Sequence, residues 1–170
     1  MDNKSDLRLR AKSTRKNLDI EILSNVAIEK IRNLEVYKNA KNVLLFYPMN
    51  FEINVLKLLK DNKNFYLPRV KDENLLICPY EFGDELLKSC LNIQEPCSSP
   101  ISPNLLNIAI VPALMADKNN YRLGYGGGFY DRFLAQNPHI KTILPIPKEL
   151  IIEKLPVRKF DKKIDIVLAL

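Results

Sequence analysis

The sequence predicts a single α/β domain over residues 1–170, with three layers, α/β/α, around a largely parallel open sheet of the Rossmann-like type. Short apolar runs of strand length alternate along the chain with segments of helical spacing. This pattern is typical of a parallel sheet covered by helices on both faces. The 170 residues, 46% hydrophobic and 27% charged, also suit one globular domain without a second.

The first element is a helix whose apolar stripe is formed by Leu7, Ala11 and Leu18. Four cationic residues recur beside that stripe at the same spacing: Lys4, Arg8, Lys12 and Arg15. One face of the helix is therefore expected to pack, while its neighbour presents positive charge. A solvated helix face remains the alternative interpretation of the cationic stripe.

Six apolar runs predict the strands. In chain order they are residues 43–47, 65–67, 75–78, 108–111, 142–144 and 164–168, and prolines at 48, 68 and 112 follow the first, second and fourth runs. Helical spacing predicts helices at 52–59 and 129–135 and a short helical piece at 149–153. Residues 94–104 carry three prolines and three serines, which indicates a surface connection.

Four of the five glycines lie within residues 124–128. The spacing is not the dinucleotide fingerprint, because the sixth position is Phe129 and no strand is expected immediately before Gly124. It is not a P-loop either, since no Gly-Lys-Ser/Thr follows. An N–H-rich turn that opens a helix is a good anion site. Arg122 could add a contact to phosphate and Asp131 could hold a divalent cation, although a purely structural turn remains an alternative.

The net charge of +6 is spread along the chain, without a basic run or a nucleic-acid motif. We therefore expect a small anionic substrate and neither nucleic acid nor membrane as a partner. The N-terminus lacks an apolar core, which predicts a cytoplasmic protein, and a monomer is expected. The three cysteines are expected to be reduced and structural, and a single histidine, His139, gives no metal cluster.

The segment 122–134, preceded by Ile110-Val111-Pro112 and Asp117, resembles the signature of the 5-formyltetrahydrofolate cyclo-ligase family, also called 5,10-methenyltetrahydrofolate synthetases. Flanking matches follow in the family's order. They are Lys4 with Leu7-Arg8, Tyr47 with Glu52, Leu67-Pro68-Arg69, residues 93–96, and Leu155-Pro156 with Asp161 and Asp165. Asn120 departs from the usual glycine, which is tolerable because asparagine readily adopts left-handed geometry.

The resemblance implies an enzyme that uses ATP and Mg²⁺ to cyclise 5-formyltetrahydrofolate, a reduced folate, to 5,10-methenyltetrahydrofolate. It implies nucleotide contacts from Lys4, Arg8, Arg122, Leu123, Gly124, Tyr125, Gly126, Gly127, Gly128, Phe129 and Tyr130. The folate contacts that it implies are Tyr47, Glu52, Tyr125, Gly126, Gly127, Gly128 and Phe129. It further implies catalytic roles for Arg122, Tyr130 and Asp131, and a magnesium site formed by Asp131 and Asp165.

Rival structural interpretations are a solvated first-turn residue for Glu52, a core residue for Phe129 and a cap for Asp161. Two other classes of function also stay open. A phosphosugar- or CoA-handling α/β protein would use the same loop for its phosphate, and a nucleic-acid-binding module would explain the positive charge.

Overall fold

The computed structural model describes residues 3–170, so Met1 and Asp2, which open the N-terminal segment considered above, lie outside the described residues. The four α-helices are α1 (Lys4–Arg15), α2 (Ile20–Asn33), α3 (Glu35–Asn39) and α4 (Phe129–Gln136). Helix α1 begins where the side chain of Asn3 accepts the N–H groups of Ser5 and Asp6, and α2 begins where Asp19 accepts the N–H of Ile22. Both are ordinary N-caps, which satisfy N–H groups that have no partner within the helix.

Eleven strands are present in the described part of the chain. They are β1 (Asn42–Leu44), β2 (Asn64–Lys71), β3 (Asn74–Pro79), β4 (Leu86–Lys88), β5 (Gln94–Pro96), β6 (Ile108–Ile110), β7 (Met115–Asp117), β8 (Arg122–Leu123), β9 (Lys141–Ile146), β10 (Ile151–Ile152) and β11 (Ile166–Ala169). Short 3₁₀ helices cover Leu56–Lys60, Pro103–Leu105 and Lys148–Leu150.

The central sheet has six strands in the order β11-β9-β6-β1-β2-β3. All of its pairings are parallel except that of β2 with the edge strand β3. Side chains alternate between two cores: Leu44 and Leu144 pack on the face covered by α1 and α4, whereas Val43 and Ile143 pack on the face covered by α2 and α3. The three-layer α/β fold with a largely parallel sheet is therefore confirmed.

Strand β2 continues through Pro68, although the sequence placed its end there. Its pairing with β1 stops at Tyr66, and beyond that point its ladder partner in the central sheet is β3. Pro68 pairs with Ile77 of β3, so the N–H that proline lacks is not required by the parallel ladder. The strand can therefore extend to Lys71 and reach the carboxyl edge of the sheet.

The helix expected at 52–59 is wrong. The segment holds only the 3₁₀ turn Leu56–Lys60, and Glu52 lies in the loop before it. Ile53, Val55 and Leu58 are all buried, a spacing that does not form one face of an α-helix. Tertiary packing of these side chains therefore outweighs the helical pattern that the sequence shows.

Three connections also carry more structure than expected. Residues 94–104 contain β5, which pairs with β4, and the piece at 149–153 is a 3₁₀ turn followed by β10. Strand β8 runs directly into Gly124, which corrects the expectation that no strand precedes the glycines. It pairs with β7 in a separate small sheet of order β10-β7-β8, so the loop is still not a dinucleotide-binding crossover of the central sheet.

Within residues 3–170, no helix combines the length and the apolar character that a membrane crossing requires. The three cysteines are free, and only Cys78 is buried. Cys90 and Cys97 lie at the surface, so a structural role in the core is supported for Cys78 alone. His139 is exposed.

Candidate active site

A cavity of about 860 Å³ lies at the carboxyl ends of β1, β2 and β6. Phe46 and Tyr47 follow β1, Val70 is near the end of β2, and Pro112 follows β6. The carboxyl edge of an open parallel sheet is where α/β proteins usually bind ligands. This volume lies in the upper part of the range for small-molecule sites, roughly 300–1,000 Å³, and exceeds that of a second cavity of about 80 Å³.

The glycine loop forms one wall of the cavity and opens α4. Gly126 and Gly128 have φ values of 116° and 69°, and Gly128 is the N-cap of the helix. A Cβ atom on Gly127 would stand 2.4 Å from the ring of Phe129. The turn that the sequence predicted is thus present, and its backbone requires glycine at these positions.

Helix α1 brings its cationic residues to different places. Lys4 lines the cavity with its Nζ 2.6 Å from Oδ2 of Asp161, and Arg8 donates from Nε to the carbonyl of Gly124 at 2.9 Å. Lys12 is exposed and Arg15 is buried. The expected cationic stripe therefore divides into two cavity residues, one solvated lysine and one buried arginine.

Arg122 is buried beneath the glycine loop, with its Nη2 3.3 Å from Oδ2 of Asp131 and its guanidinium over the ring of Tyr130. Burial lowers the pKa of Arg122, because a charged guanidinium is costly to remove from water. Its Nε is buried and has no hydrogen-bond partner among the described residues. An unsatisfied cationic donor in a cavity wall suits an anionic ligand, so the site passes this test for a phosphate group.

Among residues 3–170, seven cationic side chains and four carboxylates line the cavity. The cations are Lys4, Arg8, Arg122, Arg132, Arg158, Lys159 and Lys162, and the carboxylates are Glu52, Glu95, Asp131 and Asp161. This excess of positive charge favours a polyanionic ligand. Leu123 lines the same wall, but its side chain belongs to the core, so only its backbone faces a ligand.

Asp131 and Asp161 both line the cavity, whereas Asp165 does not. Asp165 precedes β11. Its Oδ2 accepts hydrogen bonds from the backbone N–H and from the hydroxyl of Thr142, both at 2.8 Å. Both residues lie at the amino ends of their parallel strands, the edge of the sheet opposite the cavity. The structure therefore corrects the expected pairing of Asp165 with Asp131 and places Asp161 on the cavity wall instead.

Asp161 and Asp131 each accept a hydrogen bond from a backbone N–H group of the 158–162 segment. Asp161 accepts from the N–H of Arg158 at 2.7 Å, and Asp131 accepts from the N–H of Lys162 at 3.1 Å. Partial burial acts to raise the pKa of Asp161, but the hydrogen bonds from Lys4 and Arg158 outweigh it and lower the pKa. No group of three metal-ligating side chains is present within residues 3–170. Asp131 and Asp161 nevertheless offer two carboxylates on one cavity wall, each ion-paired with a cation there, and carboxylate oxygens are the ligands that Mg²⁺ takes together with several waters.

Glu52 is 5% exposed, which excludes the solvated first-turn residue considered from the sequence. Its Oε1 accepts from the Tyr125 hydroxyl at 2.5 Å and its Oε2 from the N–H of Met49 at 2.7 Å. Burial raises the pKa of Glu52, although these hydrogen bonds oppose the shift. Tyr47, Tyr125 and Phe129 line the same cavity, so the residues expected at the folate are brought together.

Arg15 has a structural role that the sequence pattern did not predict. Its Nη1 donates to the carbonyl of Phe51 at 3.0 Å, and its Nη2 donates to the carbonyls of Ala113 and Leu114. Phe51 has a φ of 65°, an uncommon conformation for a bulky residue, and directly precedes Glu52. Arg15 thus supports the loop that carries Glu52. The available signal was spacing, since Leu7, Ala11 and Arg15 recur every four residues.

Asp117 and Asn120, which precede Arg122, have structural roles in this chain. Asp117 is buried and accepts the N–H groups of Asn119, Tyr121 and Leu155. Asn120 has a φ of 66°, which confirms the expected left-handed geometry. Together they close the turn between β7 and β8 and so fix the strand that carries Arg122.

Replacing Glu52 with glutamine is expected to flatten the dependence of stability on pH. Because burial raises the pKa of Glu52, its stabilising contribution is fully present below the ordinary value of 4.5 and is lost as pH rises through the raised pKa. A glutamine is neutral at every pH and does not lose this contribution. The Tm of Glu52→Gln minus the Tm of the native chain should therefore increase as the pH is raised from about 4 to about 7. Thermal unfolding at stepped pH measures this, with the exposed Glu85→Gln as control. A constant Tm difference would contradict the prediction.

Comparisons with known proteins agree with the geometry. The model of the 5-formyltetrahydrofolate cyclo-ligase family matches residues 1–169. The 5-formyltetrahydrofolate cyclo-ligase of Haemophilus influenzae is 32% identical over 142 residues, covering 76% of this chain and 75% of the relative. That of Escherichia coli K12 is 33% identical over 135 residues, covering 72% and 74%. The solution structure of Aquifex aeolicus 5,10-methenyltetrahydrofolate synthetase superposes with a TM-score of 0.83 at 27% identity, over 98% of this chain and 89% of that one.

Proposed function

The chain belongs to the 5-formyltetrahydrofolate cyclo-ligase family, and we propose that it cyclises 5-formyltetrahydrofolate to 5,10-methenyltetrahydrofolate with ATP as co-substrate and Mg²⁺ as cofactor. The observation that supports the ATP part is the buried Arg122, a residue of the cationic cavity wall beside the glycine loop whose Nε has no hydrogen-bond partner among the described residues. A guanidinium beside an N–H-rich helix start is a suitable set of donors for a phosphate group.

The chemistry explains why a phosphoryl donor is useful. The formyl carbon on N5 is amide-like and a poor electrophile. Transfer of the γ-phosphoryl group of ATP to the formyl oxygen releases ADP and converts that oxygen into a leaving group. N10 then attacks the formyl carbon, and loss of phosphate leaves the methenyl bridge. In such a reaction the protein contributes mainly positioning and charge stabilisation.

The phosphate groups would lie against the glycine loop. The backbone N–H groups of Gly126, Gly127 and Gly128 and the start of α4 supply donors and the positive end of the helix dipole. Arg8 is held at the loop by its bond to Gly124, and Arg122 faces the loop from beneath. Lys4 adds charge from the start of α1. When bound, Mg²⁺ would neutralise phosphate charge, and Asp131 and Asp161 would hold it.

The folate would occupy the wall nearest Glu52. The carboxylate of Glu52 is held by Tyr125 and the Met49 N–H, so it is fixed in place to accept hydrogen bonds from the pterin ring. Tyr47 and Phe129 offer apolar ring surface on the same side. Tyr130, packed against Arg122, would keep that guanidinium oriented toward the reacting phosphoryl group.

The decisive experiment is the conversion of 5-formyltetrahydrofolate to the absorbing methenyl product by purified protein. Product is expected only when ATP and Mg²⁺ are both present, with one ADP formed for each folate converted. Removal of the metal with a chelator should stop the reaction, and added Mg²⁺ should restore it. Product formation at the same rate without ATP would refute the proposed mechanism.

The two candidate metal sites can be separated by one pair of variants. Asp161→Asn is expected to raise the Mg²⁺ concentration for half-maximal activity at least about tenfold, because it removes a cavity carboxylate. Asp165→Asn should lower thermal stability, since it weakens the bonds to Thr142, but should leave the Mg²⁺ requirement unchanged. A changed Mg²⁺ requirement in Asp165→Asn alone would instead assign the metal site to Asp165.

We further propose that residues 1–170 act as one domain and as a monomer in the cytoplasm. The six-stranded central sheet and the cavity wall form one continuous unit within residues 3–170, which supports a single domain. Sedimentation equilibrium should give a mass near 19.6 kDa. A dimer with a shared cavity would contradict the monomer.

A further inference from the structure

Phe160 is an exposed aromatic residue of the cavity wall. Its side chain is 77% exposed, yet it lines the cavity described above. Phe82 is similarly exposed, at 81%, but lies outside that cavity. A flat apolar ring that faces solvent inside a binding cavity is available to stack on a flat ligand group.

The segment that carries Phe160 is held in place from both sides. Asp161 donates its N–H to the carbonyl of Arg158 at 3.0 Å and accepts the N–H of Arg158 on its carboxylate, which closes the turn around the ring. The same carboxylate binds Lys4 of α1, and the next residue, Lys162, donates its N–H to Asp131 of α4. Phe160 is therefore presented by a turn tied to the two helices that flank the proposed phosphate site.

The surroundings of Phe160 are cationic. Arg158, Lys159 and Lys162 come from the same turn and line the cavity, and Lys4 lies beside them. The other aromatic rings of the cavity come from the segment after β1, the glycine loop and the first turn of α4: Phe46, Tyr47, Tyr125, Phe129 and Tyr130. Phe160 is thus an aromatic surface on the cationic side, apart from the wall that holds Glu52.

We propose that Phe160 is the stacking platform for the adenine base of ATP. This inference rests on the proposed use of ATP and adds the position of the base. With the phosphates at the glycine loop and Lys4, the base requires an apolar face beside that loop, and the 158–162 turn supplies one. Stacking of a base on an aromatic ring is favourable and needs only the flat faces of the two groups.

Steady-state kinetics of Phe160→Ala tests the proposal. The KM for ATP is expected to rise about tenfold, equivalent to about 1.4 kcal/mol, while kcat and the KM for 5-formyltetrahydrofolate stay within about twofold. Phe160→Trp keeps a stacking face and should restore the native KM for ATP. Phe82→Ala removes an equally exposed ring outside the cavity and should change neither constant.

Inorganic tripolyphosphate, which has no base, separates stacking from damage to the phosphate site. Its inhibition constant against ATP should be the same for the native chain and Phe160→Ala. An unchanged KM for ATP would overturn the proposal, as would a raised KM for folate alone, which would assign the ring to the substrate. If the native chain forms no product, the proposed function fails, and calorimetric ATP binding then decides this inference: weaker binding by Phe160→Ala supports it, and equal or absent binding overturns it.

Discussion

Replacing Arg122 with alanine is expected to lower kcat roughly 10³-fold, which is the loss typical of removing a buried charge-stabilising donor from a transition state. Arg122 is the cation whose guanidinium is buried beneath the glycine loop, and its Nε has no partner among the described residues. Phosphoryl transfer spreads negative charge over the phosphoryl oxygens, and a fixed, desolvated guanidinium stabilises that charge strongly. The rate of methenyl product formation at saturating ATP measures the effect.

Two further variants keep this prediction informative if alanine disturbs folding. Arg122→Met fills a similar volume without charge, and the unfolding free energy should change by only about 1 kcal/mol, because the buried guanidinium itself carries a desolvation cost. Arg122→Lys keeps the charge but loses the planar fork, so its rate should be intermediate. A folded Arg122→Met variant with more than about a tenth of native kcat would refute the catalytic role.

Replacing Gly126 with alanine is expected to lower kcat/KM about 100-fold, since the loop N–H groups are the proposed donors to the transferring phosphoryl group. The φ of 116° at Gly126 is one that residues with a Cβ rarely adopt. The added Cβ would make ordinary van der Waals contact with the guanidinium of Arg8 at 3.6 Å, so the expected loss comes from the backbone conformation. Relief of the backbone strain would rotate the peptide groups away from the cavity.

Gly83 provides a matched control for this variant. It has a φ of 99°, and a Cβ there would meet no atom within 4 Å. Gly83→Ala and Gly126→Ala should both lower the unfolding free energy by about 1–3 kcal/mol, because the backbone strain is similar. Only Gly126→Ala should lose activity. Equal activity of the two variants would show that the glycine loop serves as a structural turn alone.

Most of the central sheet was predictable because its strands are short, apolar and separated by turn residues. The runs around β1, β6 and β9 alternate between two buried faces, and a pattern in which every position is apolar indicates a strand covered on both sides. The elements that were missed or misassigned, such as β8 and the 3₁₀ turn Leu56–Lys60, are short. In such short segments the secondary structure depends more on tertiary packing than on the local sequence pattern.

The candidate site was predictable where it is contiguous in sequence. Segment 122–134 carries its glycines, Arg122 and Asp131 within a few residues, so one motif indicates them together. The sequence did not show whether Asp161 or Asp165 accompanies Asp131. Both aspartates follow the same motif, and only the edge of the sheet on which each lies distinguishes them. Arg15 and Phe160 were missed for a similar reason, since their burial and exposure depend on segments far away in sequence.

The layered α/β fold, the glycine turn before α4 and the family resemblance could be predicted from the sequence, because each depends on the order of residues within short stretches of the chain. The tertiary structure was needed to show which carboxylates share the cavity, that Glu52 is buried against Tyr125, and that Arg15 supports the Phe51 loop. These features depend on hydrogen bonds and desolvation, which act over a few ångströms of space. The residues that they join here are separated by up to 157 positions in the chain, as Lys4 and Asp161 are.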